Sequence, residues 1–181
     1  MMMEWNVVVS VNEFGFKRAR EVLRAYGAVQ KTAFYNVLTM KVDDTGQFME
    51  ALRERSEADP SSLSFLSRLI PVTHTFSFQS PDEFEQKAGA IVTEWAPQLA
   101  GKRFHVRIHR RGFKGKLSSP EEERFLDKVV LEALHKEGHS AQVTFEDPDA
   151  IIIIETIGQR AGLSLWTREQ LQRYPFIRID N

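Results

Sequence analysis

Cysteine is absent from the 181 residues of this sequence. Disulfide bonds, thiolate metal sites and cysteine nucleophiles are therefore excluded. Long hydrophobic runs are absent as well, since the longest, near Ile151–Ile154, is far shorter than the ~20 residues needed to cross a bilayer. The N-terminus also lacks the basic and apolar segments of a signal peptide. We therefore expect a cytoplasmic protein with no membrane partner.

Recognisable catalytic motifs are missing too. The sequence has no Walker motif, no Gly-x-Gly-x-x-Gly after a predicted strand and no Gly-x-Ser-x-Gly elbow. His105 and His109 lie four residues apart on a predicted strand, about 13 Å at ~3.3 Å per residue, which is too far to share one metal ion. Asp147 and Asp149 flank a proline and are typical of a turn. We therefore expect no catalytic residue, no metal and no small-molecule cofactor. A small hydrolase or nuclease that uses histidine and carboxylates is an alternative.

The order of predicted elements in residues 1–75 indicates a small ferredoxin-like domain. Apolar strand patterns alternate there with helical patterns, which is the order of a split βαβ unit. The predicted elements are a strand at Trp5–Val11, a helix near Phe14–Tyr26, a strand at Asn36–Val42, a helix from Asp44 to Glu57 and an extended segment at Leu69–Phe78.

Residues 76–181 predict a second domain of a different type. Ser80 and Ser119 each precede a proline, which places serine at the N-cap and proline at the first position of two helices. A predicted strand, Arg103–His109, lies between these helices. The run Ala150–Ile157 follows them without alternation and predicts a strand that is covered on both faces. Because a helix connects the two strands, part of the sheet should be parallel. We expect a mixed α+β and α/β class, with a mixed, partly parallel sheet and helices packed on it.

Positive charge is concentrated in one short segment. The formal net charge of the chain is only −1, yet seven lysines and arginines occur between Lys102 and Lys116 without any acid. Phe104, Val106 and Ile108 alternate there with basic residues, so the basic side chains should share the face opposite the core. Phosphate groups of RNA are the expected partner of such a face. The predicted RNA-binding residues are Arg103, Arg107, His109, Arg110, Arg111, Phe113, Lys114 and Lys116, with Phe113, if exposed, stacking on a base or ribose.

Simpler interpretations of the charge pattern stay open. The basic segment is also compatible with solvated side chains opposed by acids elsewhere, notably the run Glu121–Glu123. A second basic patch lies on the first predicted helix and consists of Lys17, Arg18, Arg20 and Arg24. It is either an RNA contact or simply the solvent-exposed face of that helix. A protein–protein interaction module with an incidental basic patch is a further alternative for the whole chain.

From Phe76 to Trp166 the sequence resembles a THUMP domain, the RNA-binding module of several tRNA-modifying systems. The matching pieces are Phe104–Gly112, Asp147–Asp149 followed by Ile151–Glu155, and Ala161–Leu165, with Arg68–Val72 as the segment that leads into such domains. Their order and spacing carry the resemblance more than any single piece does. The first half is loosely similar to the ferredoxin-like domain that usually precedes a THUMP domain. The chain is especially similar to stand-alone THUMP proteins that serve as adaptors of a tRNA cytidine acetyltransferase.

The resemblance implies a ferredoxin-like domain over residues 1–75 and a THUMP domain over residues 76–181 that together bind the acceptor end of tRNA, or another structured RNA. No catalytic domain follows within the sequence, so we expect a non-catalytic adaptor whose RNA-modifying enzyme is a separate protein. By position, Arg107, Arg110 and Arg111 match the basic strand of the family, whereas Asp147–Asp149 and Glu155 match residues with a structural role.

Overall fold

The computed structural model describes residues 4–179. The chain divides into two compact units, residues 4–72 with 171–179 and residues 73–170. Residues 171–179 thus pack within the first unit, although the sequence analysis assigned them to the second domain. The mixed α+β class with a partly parallel sheet is confirmed.

The first unit has the strand and helix order of a ferredoxin-like fold. Its elements are β1 (Val7–Val11), α1 (Phe16–Leu23), β2 (Ala28–Lys31), β3 (Val37–Lys41), α2 (Thr45–Ala58) and β4 (Leu66–Pro71). The strands form one antiparallel sheet in the order β2-β3-β1-β4. Strand β2 was not predicted from the sequence, because this short edge strand contains no buried residue and therefore shows no apolar pattern.

The extended segment predicted at Leu69–Phe78 is divided between the two units. Strand β4 pairs with β1 in the first sheet, and β5 (His74–Ser77) belongs to the second sheet. The N–H of Val72 donates to the carbonyl of Asn6 in the first unit, whereas the N–H of Thr73 donates to the carbonyl of Leu163 in the second. The chain therefore changes sheets between two adjacent residues, which an alternating pattern alone does not reveal.

The second unit is a five-stranded sheet with two long helices. After β5 come α3 (Pro81–Trp95), a 3-10 turn (Ala96–Leu99), β6 (Arg103–His109), α4 (Ser119–Lys136), β7 (Gln142–Val143), β8 (Ala150–Ile157), β9 (Arg160–Thr167) and α5 (Arg168–Arg173), whose last residues belong to the first unit. The strand order is β5-β9-β8-β6-β7. Strand β6 is parallel to β7 and β8, and the other pairs are antiparallel.

Serine caps begin both long helices of this unit. Ser80 accepts the N–H of Glu83 at 3.1 Å, as the sequence predicts for α3. In α4 the cap is Ser118 and not the expected Ser119, because the N–H of Glu121 donates to the Ser118 hydroxyl at 3.4 Å. The helix therefore begins one residue earlier than the serine–proline pair suggests.

The core of the second unit lies between its helices and one face of the sheet. Phe104, Val106 and Ile108 of β6 are buried there together with Ile152 and Ile154 of β8. Every residue of β8 is buried, so this strand is covered on both faces as its sequence predicts. The face of the sheet that points away from this core is therefore also covered along β8.

A buried acid lies where α4 begins. Glu122 is buried, and desolvation raises its pKa to about 8, assisted by the neighbouring carboxyl groups of Glu85, Glu121 and Asp82. Since the folded pKa exceeds the ordinary value of 4.5, the folded state binds more protons than the unfolded state between these two values. The free energy of unfolding should therefore fall as the pH rises through this window.

We predict that Glu122→Gln stabilises the protein at alkaline pH. The amide cannot ionise, so at pH 8.5 the melting temperature should rise by about 5 °C over that of the parent protein, at roughly 2–4 °C per kcal/mol. The difference should shrink as the pH approaches 5. Thermal melts followed by circular dichroism measure this, with Glu132→Gln on the exposed face of α4 as the control. Equal melting temperatures of the parent and Glu122→Gln at every pH would contradict the assignment.

Candidate nucleic-acid interface

Strand β6 does not present an open basic face. His105 and His109, which alternate with the core residues of β6, are both buried, and Arg107 is half-buried. The reason lies in the pairing: Arg107 is opposite Ile153 and His109 is opposite Glu155 on β8, whose second face is buried as well. This corrects the expectation that alternation places the positive side chains of the strand on the exterior.

A buried charge cluster occupies the end of β6. Glu155 is fully buried, and its Oε2 lies 3.1 Å from Arg111 Nη1 and 3.1 Å from His109 Nδ1. The Arg111 side chain is only 10% exposed. A buried carboxylate needs such partners because an unpaired charge is costly away from water. His109 and Arg111 therefore hold a structural carboxylate, and little of either side chain is exposed to solvent.

The beginning of β6 is fixed by a second set of charges. The N–H of Arg103 donates to Asp149 Oδ2 at 2.8 Å, and together with the nearby guanidinium groups it lowers the pKa of Asp149. Arg103 Nη2 lies 3.6 Å from Asp149 and 3.9 Å from Asp147. Arg168 contacts the same two carboxylates at 3.1 and 2.9 Å. The Asp-Pro-Asp turn thus ties the start of β6 to the end of β9, and Arg103 is only partly available to a ligand.

The loop after β6 is where positive charge reaches solvent. Lys114 and Lys116 are exposed and Arg110 is half-buried, with its guanidinium donating to the carbonyl of Gly112. None of the three forms an ion pair with a carboxylate among residues 4–179. Of the eight predicted contact residues, these three fit an accessible anion-binding surface best. We call residues 110–116 the basic loop.

The backbone of the basic loop has an unusual conformation. Gly112, Phe113 and Gly115 have φ values of 89°, 54° and 79°, in the left-handed region. Within residues 4–179, the backbone N–H groups of residues 112–115 donate no hydrogen bond, although Lys116 and Leu117 both donate to the carbonyl of Phe113. Consecutive N–H groups that point outward from such turns form concave sites for anions. The loop therefore offers backbone donors as well as lysine side chains.

Phe113 anchors the basic loop and is not free to stack on a base. Its ring lies 5.2 Å from the ring of Phe78 and packs against the core, and Lys116 Nζ lies 5.7 Å above it. The exposed aromatic of this unit is Phe145, which is 69% exposed and whose ring centroid lies 5.2 Å from that of the buried His105, with the two rings tilted. Phe145 was not among the residues predicted from the sequence. An aromatic residue just before the acidic turn was the available signal.

Neither metal binding nor histidine catalysis is favoured by the geometry. Among residues 4–179, no three histidine, aspartate or glutamate side chains are grouped closely enough to hold a metal ion. Burial lowers the pKa of His105, so its ring is held neutral in the sheet at physiological pH. In the same part of the chain, no helix combines the length and apolarity that a membrane span requires.

One protein-family model matches part of the second unit. The model of the THUMP domain matches residues 78–165, which contain β6, the basic loop, α4 and β8. A comparison with curated proteins finds no match.

Solved structures share the fold at low sequence identity. PH1313 from Pyrococcus horikoshii is 14% identical with a TM-score of 0.59, over 91% of this chain and 55% of that one. TrmN from Thermus thermophilus is 16% identical with a TM-score of 0.56, over 89% and 44%. A 4-thiouridine synthetase, solved as an RNA complex with bound ATP, is 16% identical with a TM-score of 0.54, over 91% and 42%. The chain therefore spans about half the length of these proteins, and the likeness shows the fold.

We predict that Arg111 is needed for stability, unlike its neighbour Arg110. Arg111→Gln leaves the buried Glu155 with one cationic partner fewer, so the free energy of unfolding should fall by about 3 kcal/mol. Arg110→Gln removes only a bond to a backbone carbonyl and should change it by less than ~1 kcal/mol. Urea denaturation of the two variants measures the difference. Equal stability of the two variants would contradict the structural role of Arg111.

Proposed function

Residues 78–165 of this chain are a THUMP domain, and from this premise we propose that the protein is a non-catalytic adaptor that holds tRNA near its acceptor end. A THUMP domain indicates RNA binding in the context of tRNA modification. In the proposal, the bound tRNA is presented to a separate modifying enzyme, such as a cytidine acetyltransferase. A cytoplasmic location is part of the same proposal.

The observation that carries the RNA-binding part is the basic loop. Lys114 and Lys116 are exposed, and the adjacent N–H groups of residues 112–115 have no acceptor among residues 4–179. Phosphate oxygens are acceptors for both kinds of donor, and lysine neutralises phosphate as a compact charge. The loop therefore offers both kinds of donor that an RNA backbone requires.

The proposal assigns different roles to the eight residues predicted from the sequence. Arg110, Lys114 and Lys116 contact phosphate directly. Arg111, His109 and Phe113 hold the loop in position, and the half-buried Arg107 lies before it on β6. Arg103 lies at the opposite end of β6 beside Asp147 and Asp149, so it is assigned no contact at the loop.

The same geometry supports a non-catalytic role. His105 and His109 are buried, and His109 is bonded to Glu155. Asp149 is engaged by the N–H of Arg103 and by Arg168. The histidine and carboxylate groups that a hydrolase would need are thus used in the sheet itself. The solved RNA complex of a 4-thiouridine synthetase supports RNA binding by a protein that shares this fold.

We predict that Lys114→Glu with Lys116→Glu weakens tRNA binding by at least ten-fold in a gel shift at constant salt. Reversing two exposed charges removes counterion release at the phosphates they contact. The slope of log affinity against log salt should therefore become shallower by roughly 0.7–0.9 for each lost phosphate contact. The variant should fold normally, because both side chains are exposed.

The matched control changes the same net charge elsewhere in the unit. Lys128→Glu with Lys136→Glu reverses two exposed lysines of α4 and should keep most of the tRNA affinity. If both double variants lose affinity equally, the effect is one of overall charge and the basic loop is not the site. If neither loses affinity, the assignment is wrong.

The adaptor role predicts a protein partner and a nucleoside phenotype. A strain that lacks this protein should lose one modified nucleoside from its tRNA, measured by mass spectrometry of tRNA digests. A pull-down with the tagged protein should recover the corresponding enzyme. The Lys114→Glu, Lys116→Glu variant should still recover the same enzyme in the pull-down, but it should not restore the nucleoside in the deletion strain. Full restoration of the nucleoside by this variant would show that RNA binding by the basic loop is not needed for the function.

A further inference from the structure

One end of the ferredoxin-like unit carries two aromatic rings in solvent. Phe14 is 96% exposed and Tyr35 is 81% exposed. Rings this exposed contribute almost nothing to the burial of apolar surface that stabilises a fold. Phe14 follows β1, and Tyr35 lies in the loop between β2 and β3. The two loops are neighbours, because the N–H of Val11 donates to the carbonyl of Asn36 at 2.9 Å.

The backbone holds Phe14 in a conformation that is unfavourable for its residue type. Its φ of 67° lies in the left-handed region, where a bulky side chain is a rare exception. The turn is fixed by the N–H of Gly15, which donates to the carbonyl of Asn12 at 2.9 Å. The Asn12 side chain donates in turn to the carbonyl of Ser64 at 2.9 Å. Backbone strain at an exposed aromatic residue is typical of functional sites, and the exposure of this ring argues against a packing role.

The loop that carries Tyr35 is ordered in the same way. The Thr32 hydroxyl donates to the carbonyl of Val37 at 2.9 Å and accepts the N–H of Phe34 at 3.0 Å. Tyr35 therefore projects from a closed turn. The backbone that carries each ring is thus held in place before any ligand binds, which lowers the entropy lost on binding.

The segment that carries these rings is rich in basic residues. Residues 12–36 contain five basic residues and two acids: Lys17, Arg18, Arg20, Arg24 and Lys31 against Glu13 and Glu21. Arg20 and Lys31 lie 6.0 and 5.8 Å from the ring of Phe16, which brings the charges of α1 and β2 together. Within residues 4–179, none of the five forms an ion pair with a carboxylate. The charge is thus available to an anion.

We propose that this end of the ferredoxin-like unit binds unpaired nucleotides of an RNA, with Phe14 and Tyr35 stacking on bases and the basic side chains of α1 and β2 neutralising phosphates. Exposed aromatics beside basic residues are the two components of single-strand recognition, since every base has a face to stack and every nucleotide a phosphate. A duplex offers no free base faces and would use the charges alone. The surface lies outside the matched THUMP domain and is separate from the basic loop.

Fluorescence anisotropy with labelled single-stranded oligouridine, and with an RNA duplex of equal length, tests this surface. Phe14→Ala with Tyr35→Ala should weaken oligouridine binding by about ten-fold or more, since each stacked ring contributes strongly to affinity. The salt dependence should stay unchanged because no charge is removed. Lys17→Glu with Arg18→Glu should instead make the salt dependence shallower. Binding of the RNA duplex should be weakened only by Lys17→Glu with Arg18→Glu.

Phe14→Tyr with Tyr35→Phe is the matched control, because it keeps both rings and should keep oligouridine affinity. Unchanged oligouridine binding by Phe14→Ala with Tyr35→Ala would overturn the proposal. Intact RNA binding combined with loss of a protein from a pull-down would overturn it too and would assign the rings to a protein partner. Lys114→Glu with Lys116→Glu is measured on tRNA in the same assay, so failure of this surface is distinguishable from failure of the basic loop.

Discussion

Glu155 is a carboxylate without any exposed surface, and its neutralisation decides where positive charge can reach solvent. Arg111 and His109 both lie 3.1 Å from it, so two side chains of the basic segment are drawn into the sheet. Without these partners the buried charge would be strongly unfavourable. Their inward position fixes the chain where β6 ends at His109 and just before Gly112. The exposed lysines of the basic loop follow directly from this constraint.

The patterns that predicted the fold well were local and repetitive. Alternation in Arg103–His109 correctly identified the core face of β6, and the run of isoleucines correctly identified a strand covered on both sides. The error lay in the other face of β6. Alternation shows which residues share a face but not whether that face is covered, because cover depends on residues distant in sequence. Strand β2 was missed for the opposite reason, since an unburied edge strand has no apolar signature.

The candidate site could be located from the sequence but not resolved residue by residue. The concentration of positive charge pointed to the segment in which Lys114 and Lys116 are exposed, and the glycines on either side of Phe113 marked a turn. Which cations are paired depends on Asp147, Asp149 and Glu155, which lie more than 30 residues away along the chain. Which aromatic ring of this unit is exposed depends on distant residues for the same reason: Phe113, the predicted stacking residue, is covered, whereas Phe145 is exposed. The first packs on Phe78, and the second is left in solvent.

In the proposed function, the basic loop binds RNA through its backbone N–H groups as well as through its lysine side chains. Amide hydrogen exchange in the presence and absence of tRNA tests this most directly. In the free protein, the N–H groups of residues 112–115 have no acceptor among residues 4–179 and should exchange rapidly. Bound tRNA should slow their exchange while leaving the C-terminal half of α4 unchanged. Exchange in the loop that stays equally fast at saturating tRNA would contradict the account.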